Sequence, residues 1–325
     1  MKHQKDKKTQ FLRKISTPSN ISRRHFLMYS SIFSATISNL QSAEAKEKFS
    51  LNYALSSAMY GTLPLKIILN EARKIKISVI DIWPRVHGNQ REQIEDMGHD
   101  QFSELLEQYN VRLGSITRYD LGPFRLQNEM KICSKLGGKL LICGGQGPKG
   151  LKGPDLKSAI KIFSEKIKPH VLTAENHGIK IGIENHSNNL INTPDSIKWL
   201  LELLPSQNIG IALAPYHLQT LTLSAEDIAN LIREINDRLF MFYAWQYGMG
   251  CMKKLPKEQE LLQMPGRGEL DFKPILQSLK SVNYSGYTSV FMHPVPRGIP
   301  ILPTAKETTE EINRSKNYLD AHLTD

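Results

Sequence analysis

The sequence predicts an α/β protein of the (β/α)8 barrel class, a single domain over residues 46–325 preceded by a signal peptide over residues 1–45. Three observations carry this expectation. Strand-like and helix-like stretches alternate eight times from Phe49 onward. The strand-like stretches are short, apolar and β-branched, the pattern of strands buried on both faces in a parallel sheet. No Gly-x-Gly-x-x-Gly loop follows the first of them, which ranks a doubly wound open sheet second. Eight β–α units with a parallel sheet close as a barrel.

The strands are read at 49–57, 77–83, 111–116, 139–143, 179–184, 208–213, 238–245 and 286–292. Helical spacing occupies 65–76, 101–109, 123–136 and 155–177 in the first half. In the second half, Thr193 and Pro194 have the N-cap and first-turn types that start a helix. Ser224, with Asp227 three residues on, gives a partial capping box for the next helix, to Arg233. Helices over 272–279 and 304–323 complete the series, and a loop of about twenty residues follows the seventh strand.

The leader explains most of the charge. Net charge is +10, and residues 1–45 hold eight Lys or Arg against Asp6 and Glu44, so six of the ten lie there. The remainder is too dilute to demand a nucleic-acid groove, and no nucleic-acid partner is expected. Ser22-Arg23-Arg24-His25-Phe26-Leu27-Met28 resembles the twin-arginine export motif. A modest apolar stretch to Leu40 and the small-x-small signature Ala43-Glu44-Ala45 follow it. The expected product is exported by the twin-arginine machinery to the periplasm or beyond, without a stable membrane span after processing. No later segment approaches the ~20 apolar residues that a span needs. Cys133, Cys143 and Cys251 are odd in number and lack CxxC spacing, so buried free thiols are expected rather than disulfides or a zinc ribbon.

The polar groups at the strand ends point to chemistry. Trp83, Arg85 and His87 follow the second strand, and a glycine turn with Lys149 follows the fourth. Glu184, Asn185 and His186 follow the fifth, Tyr216 and His217 the sixth, Trp245 and Gln246 the seventh, and His293, Pro294 and Arg297 the eighth. A barrel gathers these ends at one rim, however far apart they lie in the chain. Imidazoles and a carboxylate meeting there suit one divalent metal ion: Zn, Mn, Co or Fe. Trp83, Trp245 and Tyr216 are candidate platforms for sugar C–H faces. His87, His186, Arg297 and Arg267, the last placed over the mouth, complete the candidate substrate-binding set. Gly144 to Gly147 reads better as a tight turn than as a phosphate cradle.

IGIENH at 181–186, IALAPYHL at 211–218, PGRGELDF at 265–272 and GYTSVFMHP at 286–294 resemble the xylose-isomerase-like TIM barrel family, which includes sugar phosphate isomerases/epimerases and ketose 3-epimerases. The resemblance covers Phe49 to Leu323, and together with the leader the chain is similar to exported members of the family. It implies a metal held by Glu184, His217, Gln246 and His293, with Glu184 and His293 as the catalytic pair. Ala214 stands where the family has an Asp, and Phe291 competes with His293 for the strand-eight position. The implied activity is a metal-dependent sugar isomerase or epimerase that abstracts a proton α to the carbonyl of an unphosphorylated sugar or keto-sugar. A 3-keto-glycoside lyase or hydratase on the same barrel is the runner-up. A carbohydrate-binding protein with a decayed metal site is the alternative from another class. The expected partner is a small-molecule carbohydrate, and self-association is left open.

Overall fold

The computed structural model describes residues 48–324. The signal peptide expected over residues 1–45 lies outside the described residues. Nine parallel strands form one sheet: β1 (Asn52–Tyr53), β2 (Leu55–Ser56), β3 (Val79–Ile82), β4 (Arg112–Thr117), β5 (Leu140–Gly144), β6 (Lys180–Glu184), β7 (Ile209–Leu213), β8 (Leu239–Ala244) and β9 (Tyr287–Val290). β1 pairs with β9 and β2 with β3, so the two halves of one extended segment, a residue apart at Ala54, join the sheet edges. The result is a TIM barrel.

The order β1-β9-β8-β7-β6-β5-β4-β3-β2 follows the chain round the barrel. β3 to β9 lie wholly or almost wholly buried because helices cover the sheet outside and side chains fill it inside. The helices are α1 (Leu65–Lys74), α2 (Gln90–Met97), α3 (His99–Tyr109), α4 (Gln127–Lys135), α5 (Gly153–His177), α6 (Pro194–Leu203), α7 (Pro215–Gln219), α8 (Ala225–Ile235), α9 (Lys257–Glu260), α10 (Lys273–Ser281) and α11 (Ala305–Thr324). None is long and apolar enough to cross a membrane.

Local chemistry sets several boundaries. The Thr193 side chain caps α6 with Pro194 at its first turn, and Ser224 and Asp227 form the reciprocal capping box of α8. Gly178, at φ 62°, ends α5 in the left-handed conformation that releases the chain into β6. α11 returns to the start of the barrel, where Tyr53 Oη donates to Asp320 Oδ1 at 2.8 Å and Thr309 Oγ1 donates to Glu71 Oε2 at 2.7 Å. All three cysteines are free and buried.

Two differences from the sequence reading bear on the site. Residues 123–126 do not begin a helix; α4 starts at Gln127, and the preceding loop carries Tyr119 toward β6. The register also shifts between Ile80 and Asp81 on β3 and between Ile211 and Ala212 on β7. Such irregularities re-aim side chains near a barrel rim.

Candidate active site

β6 delivers Glu184 to the rim with 4% of its surface exposed. Asn185 faces the adjacent strand end: its amide donates to Ala214 O at 3.1 Å and its Oδ1 accepts from Ala214 N at 2.7 Å. That bracket ties the end of β6 to the start of α7, where Pro215 occupies the first turn and His217 follows. The Nε2 of His217 lies 3.7 Å from Glu184 Oε1 and is a buried atom without a hydrogen-bond partner. His186 completes the group, its ring 4.0 Å from that of His217. One ligand atom from each of Glu184, His186 and His217 lies within 4.8 Å of the others.

The outer atoms of all three side chains are held. Tyr119 Oη donates to Glu184 Oε2. His186 Nδ1 lies 2.6 Å from the carbonyl of Ser187, so it is the donor and Nε2 keeps its lone pair. His217 Nδ1 meets Ser187 Oγ at 3.0 Å, and Thr220 Oγ1 lies 3.1 Å from the same hydroxyl. Metal-binding side chains are oriented by partners of this kind.

Electrostatics favour neutral imidazoles. Burial holds His217 down to about 2, with the nearby His186 adding to it. His186 is also lowered, first by burial, despite its bond to Ser187. Glu184 is pushed well above the ordinary carboxylate range by burial. A carboxyl this costly to ionise in a dry setting is stabilised as the anion by a cation at its open oxygen.

A cavity of about 370 Å3 opens beside this group and is also lined by His87, Tyr119, Lys149 and His293. The rings of His87 and His293 stack at 4.6 Å, and the edges of Trp83 and Trp245 meet His293 at 6.2 and 5.2 Å. Burial, then Arg297, lowers His87 to about 4. His293 falls well below its ordinary value, through burial first and then His87 and Arg297. Neither ring makes a hydrogen bond among the described residues, so both are free to exchange a proton with a bound molecule.

Several expectations from the sequence need correction. Gln246 is no ligand: its Nε2 donates to Met264 O at 2.7 Å and its Oε1 accepts from Leu270 N at 2.9 Å. The loop after β8 folds back over it, and a Cβ at Gly268 would lie 2.6 Å from that Oε1, which explains the glycine. Arg267 does not reach over the mouth, since its guanidinium is paired with Glu311 of α11 at 2.6 Å. Trp83 and Trp245 are each 1% exposed, with indole N–H groups given to Asp81 and Gln263; they form the wall behind the histidines rather than open platforms. Tyr216 stacks on Trp245 at 4.0 Å and is buried too. His293 lines the same cavity but lies outside the close group of Glu184, His186 and His217. Arg297 is tethered to Pro294 O and Cys251 O, beside His87 and His293.

Tyr119 and Asp81 are the residues that sequence reading missed. Tyr119 closes the third strand within Arg118-Tyr119-Asp120, a polar strand end like the others. Asp81 is a lone carboxylate within the apolar run ISVIDIW, fully buried and holding the Trp83 indole.

A parallel barrel with a carboxylate and imidazoles gathered at the C-terminal ends of its strands belongs to the class of barrels that carry small-molecule sites at that rim. The chain belongs to the xylose isomerase-like TIM barrel family, whose model matches residues 69–318. It is 25% identical over 199 residues to an inosose isomerase of Bacillus licheniformis, covering 56% of this chain and 69% of that protein. Among solved structures it resembles the IolI protein with a bound zinc atom, with a TM-score of 0.66 at 18% identity over 83% of this chain and 98% of that one. D-Psicose 3-epimerase of Clostridium cellulolyticum gives 0.64 at 15% identity, over 83% and 99%. A probable 3-DHS dehydratase of Bacillus anthracis gives 0.60 at 11% identity, over 84% and 98%.

The residues present fit a divalent ion on this structure's own terms. The partnerless Nε2 of His217 is aimed at Glu184, and one carboxylate with two neutral imidazoles is a three-ligand set that leaves a position for substrate. Tyr119→Phe removes the donor on the outer carboxylate oxygen and leaves the ring. It is expected to weaken zinc binding about 10- to 100-fold, as loss of such supporting bonds does, read by chelator competition.

Proposed function

We propose that this protein is a divalent-metal-dependent carbohydrate isomerase or epimerase that moves a proton α to a carbonyl of an unphosphorylated sugar or keto-sugar. The convergence of Glu184, His186 and His217 at one edge of a cavity that His293 also lines is the observation that carries this reading. The ion that these three residues would hold is zinc, manganese, cobalt or iron, borderline metals that accept nitrogen donors. When bound, it supplies Lewis-acid polarisation of the carbonyl.

The remaining work falls to side chains of the chain. The His293 ring makes no hydrogen bond among the described residues and burial keeps it neutral, so its nitrogen is available to take the α-proton transiently and return it. His87, stacked on it at 4.6 Å, is a second neutral ring that can share that proton. Trp83, Trp245 and Phe291 close the wall behind both and exclude water from it. Tyr119 fixes the Glu184 carboxyl.

The test is metal analysis of purified full-length protein followed by incubation of ketoses in D2O. Occupancy near one equivalent and solvent deuterium at the α-carbon by NMR are the expected results. Less than about a tenth of an equivalent after metal loading would favour a carbohydrate-binding protein with a decayed site, since a working site fills. The imidazole in place of a second carboxylate favours a second reading, β-elimination from a 3-keto-glycoside, which release of aglycone would reveal. We also propose export through the twin-arginine route on the strength of Arg23-Arg24 and Ala43-Glu44-Ala45; replacing the arginine pair with lysines should retain the protein in the cytoplasm.

A further inference from the structure

The cavity beside Glu184 is charged on one side. Lys149, in the turn after β5, lines it and makes no ion pair among the described residues. Arg297 lies behind His87 and His293, and among the described residues its guanidinium bonds only to Pro294 O, Cys251 O and Cys251 Sγ. It meets no carboxylate among the described residues. The other arginines with buried or half-buried heads near this rim behave differently: Arg118 pairs with Asp120 and Glu129, and Arg91 with Glu95 and Glu129.

Against these two cations the cavity presents one carboxyl, Glu184, whose outer oxygen Tyr119 already occupies and whose inner oxygen faces His217. The rest of the lining near Lys149 is uncharged, with the amides of Gln146, Asn188 and Asn189 able to donate. Lys149, itself exposed, stands at the cavity wall, and the half-buried Arg297 stands behind the two stacked histidines.

A neutral sugar would leave this positive field unanswered. We infer that the substrate is an acidic carbohydrate, its carbonyl toward Glu184 and His217 and its anionic group, a carboxylate or a phosphate, toward Lys149. The inference rests on the carbohydrate reading above and narrows it to charged substrates: a carboxylate keeps the sugar unphosphorylated as proposed there, whereas a phosphate would replace that part of the reading. Lys149 makes the charge-assisted contact and the amides complete it, while Arg297 contributes at longer range.

Three 2-ketoses that differ only at C6 test this: D-fructose, D-fructuronate and D-fructose 6-phosphate. Binding to metal-loaded protein is measured by calorimetry, and α-proton exchange in D2O is followed separately by NMR. At least one anion should bind about tenfold or more tighter than D-fructose, the scale of one charge-assisted hydrogen bond. Which anion wins distinguishes carboxylate from phosphate. Lys149→Ala should remove most of that preference and Lys149→Glu should reverse it. Raising salt should weaken anion binding selectively. The inference is overturned if neither anion binds more tightly than D-fructose, or if Lys149→Glu keeps the preference. Anion preference without proton exchange would sustain this inference and sink the isomerase reading; exchange on D-fructose with no anion preference would do the opposite.

Discussion

Glu184→Gln should lower turnover by about a thousandfold or more and empty the metal site, while leaving the protein folded and at least as stable. Glu184 is the one anionic group in the close set with His186 and His217. The amide is nearly the same shape as the carboxyl but cannot carry its charge. If the amide oxygen keeps the Tyr119 hydrogen bond, the NH2 group faces His217 Nε2, where the carboxylate oxygen stands 3.7 Å away. A donor then occupies the place of a cation ligand. Removal of a single preorganised electrostatic group already costs about a hundred- to a thousandfold, and here the Lewis acid is lost as well. Stability should move the other way, because burial makes the anionic carboxyl expensive and the amide avoids that cost. Metal content by mass spectrometry, kcat by proton exchange and thermal unfolding measure the three effects. Activity that survives with an empty site would remove Glu184 from the mechanism.

The barrel was legible because its signal is periodic and repeated. The seven strands from Val79 onward fall within or one residue beyond the apolar runs read as strands, since continuous burial in a parallel sheet leaves little choice of residue. The caps at Thr193 and Ser224 were legible because side chain and turn meet within four residues. What failed was non-local. α2, α7 and α9 are short or polar helices whose spacing is too brief to stand out from a loop. Gln246 and Glu184 both close a strand, and nothing local reveals that residues 264–270 fold over one and leave the other open. Arg267 found Glu311 44 residues later, a pairing that only tertiary structure displays. His186 was nearer to hand. It stands two residues after Glu184, and side chains two apart on an extended segment share a side. That same alternation sends Asn185 to its neighbour at Ala214.

Asp81 shows the same principle at larger energetic cost, and Asp81→Asn should change the pH dependence of stability rather than simply lower it. The carboxyl is fully buried within β3 and accepts from Ser115 Oγ at 2.7 Å, Thr117 Oγ1 at 3.0 Å and the Trp83 indole. Burial raises it from 3.8 to about 7, outweighing those three donors. The folded protein therefore holds a proton that the unfolded chain has released between these values. Unfolding free energy must fall as pH rises through that window, because the native state binds more protons. An elevation from 3.8 to about 7 corresponds to on the order of 4 kcal/mol. Asparagine resembles the protonated acid and cannot titrate. The variant should match the parent near pH 4, then become the more stable of the two, by on the order of 4 kcal/mol above pH 8. Urea unfolding of both proteins across that range measures the difference, in which other titrating groups cancel. A gap independent of pH would mean that Asp81 is ionised throughout and that its three donors outweigh burial. In the expected case the barrel retains an ionisable group at a cost in stability, one residue before the strand ends at Ile82. The carboxyl then serves to hold the Trp83 indole, whose ring backs His87 and His293.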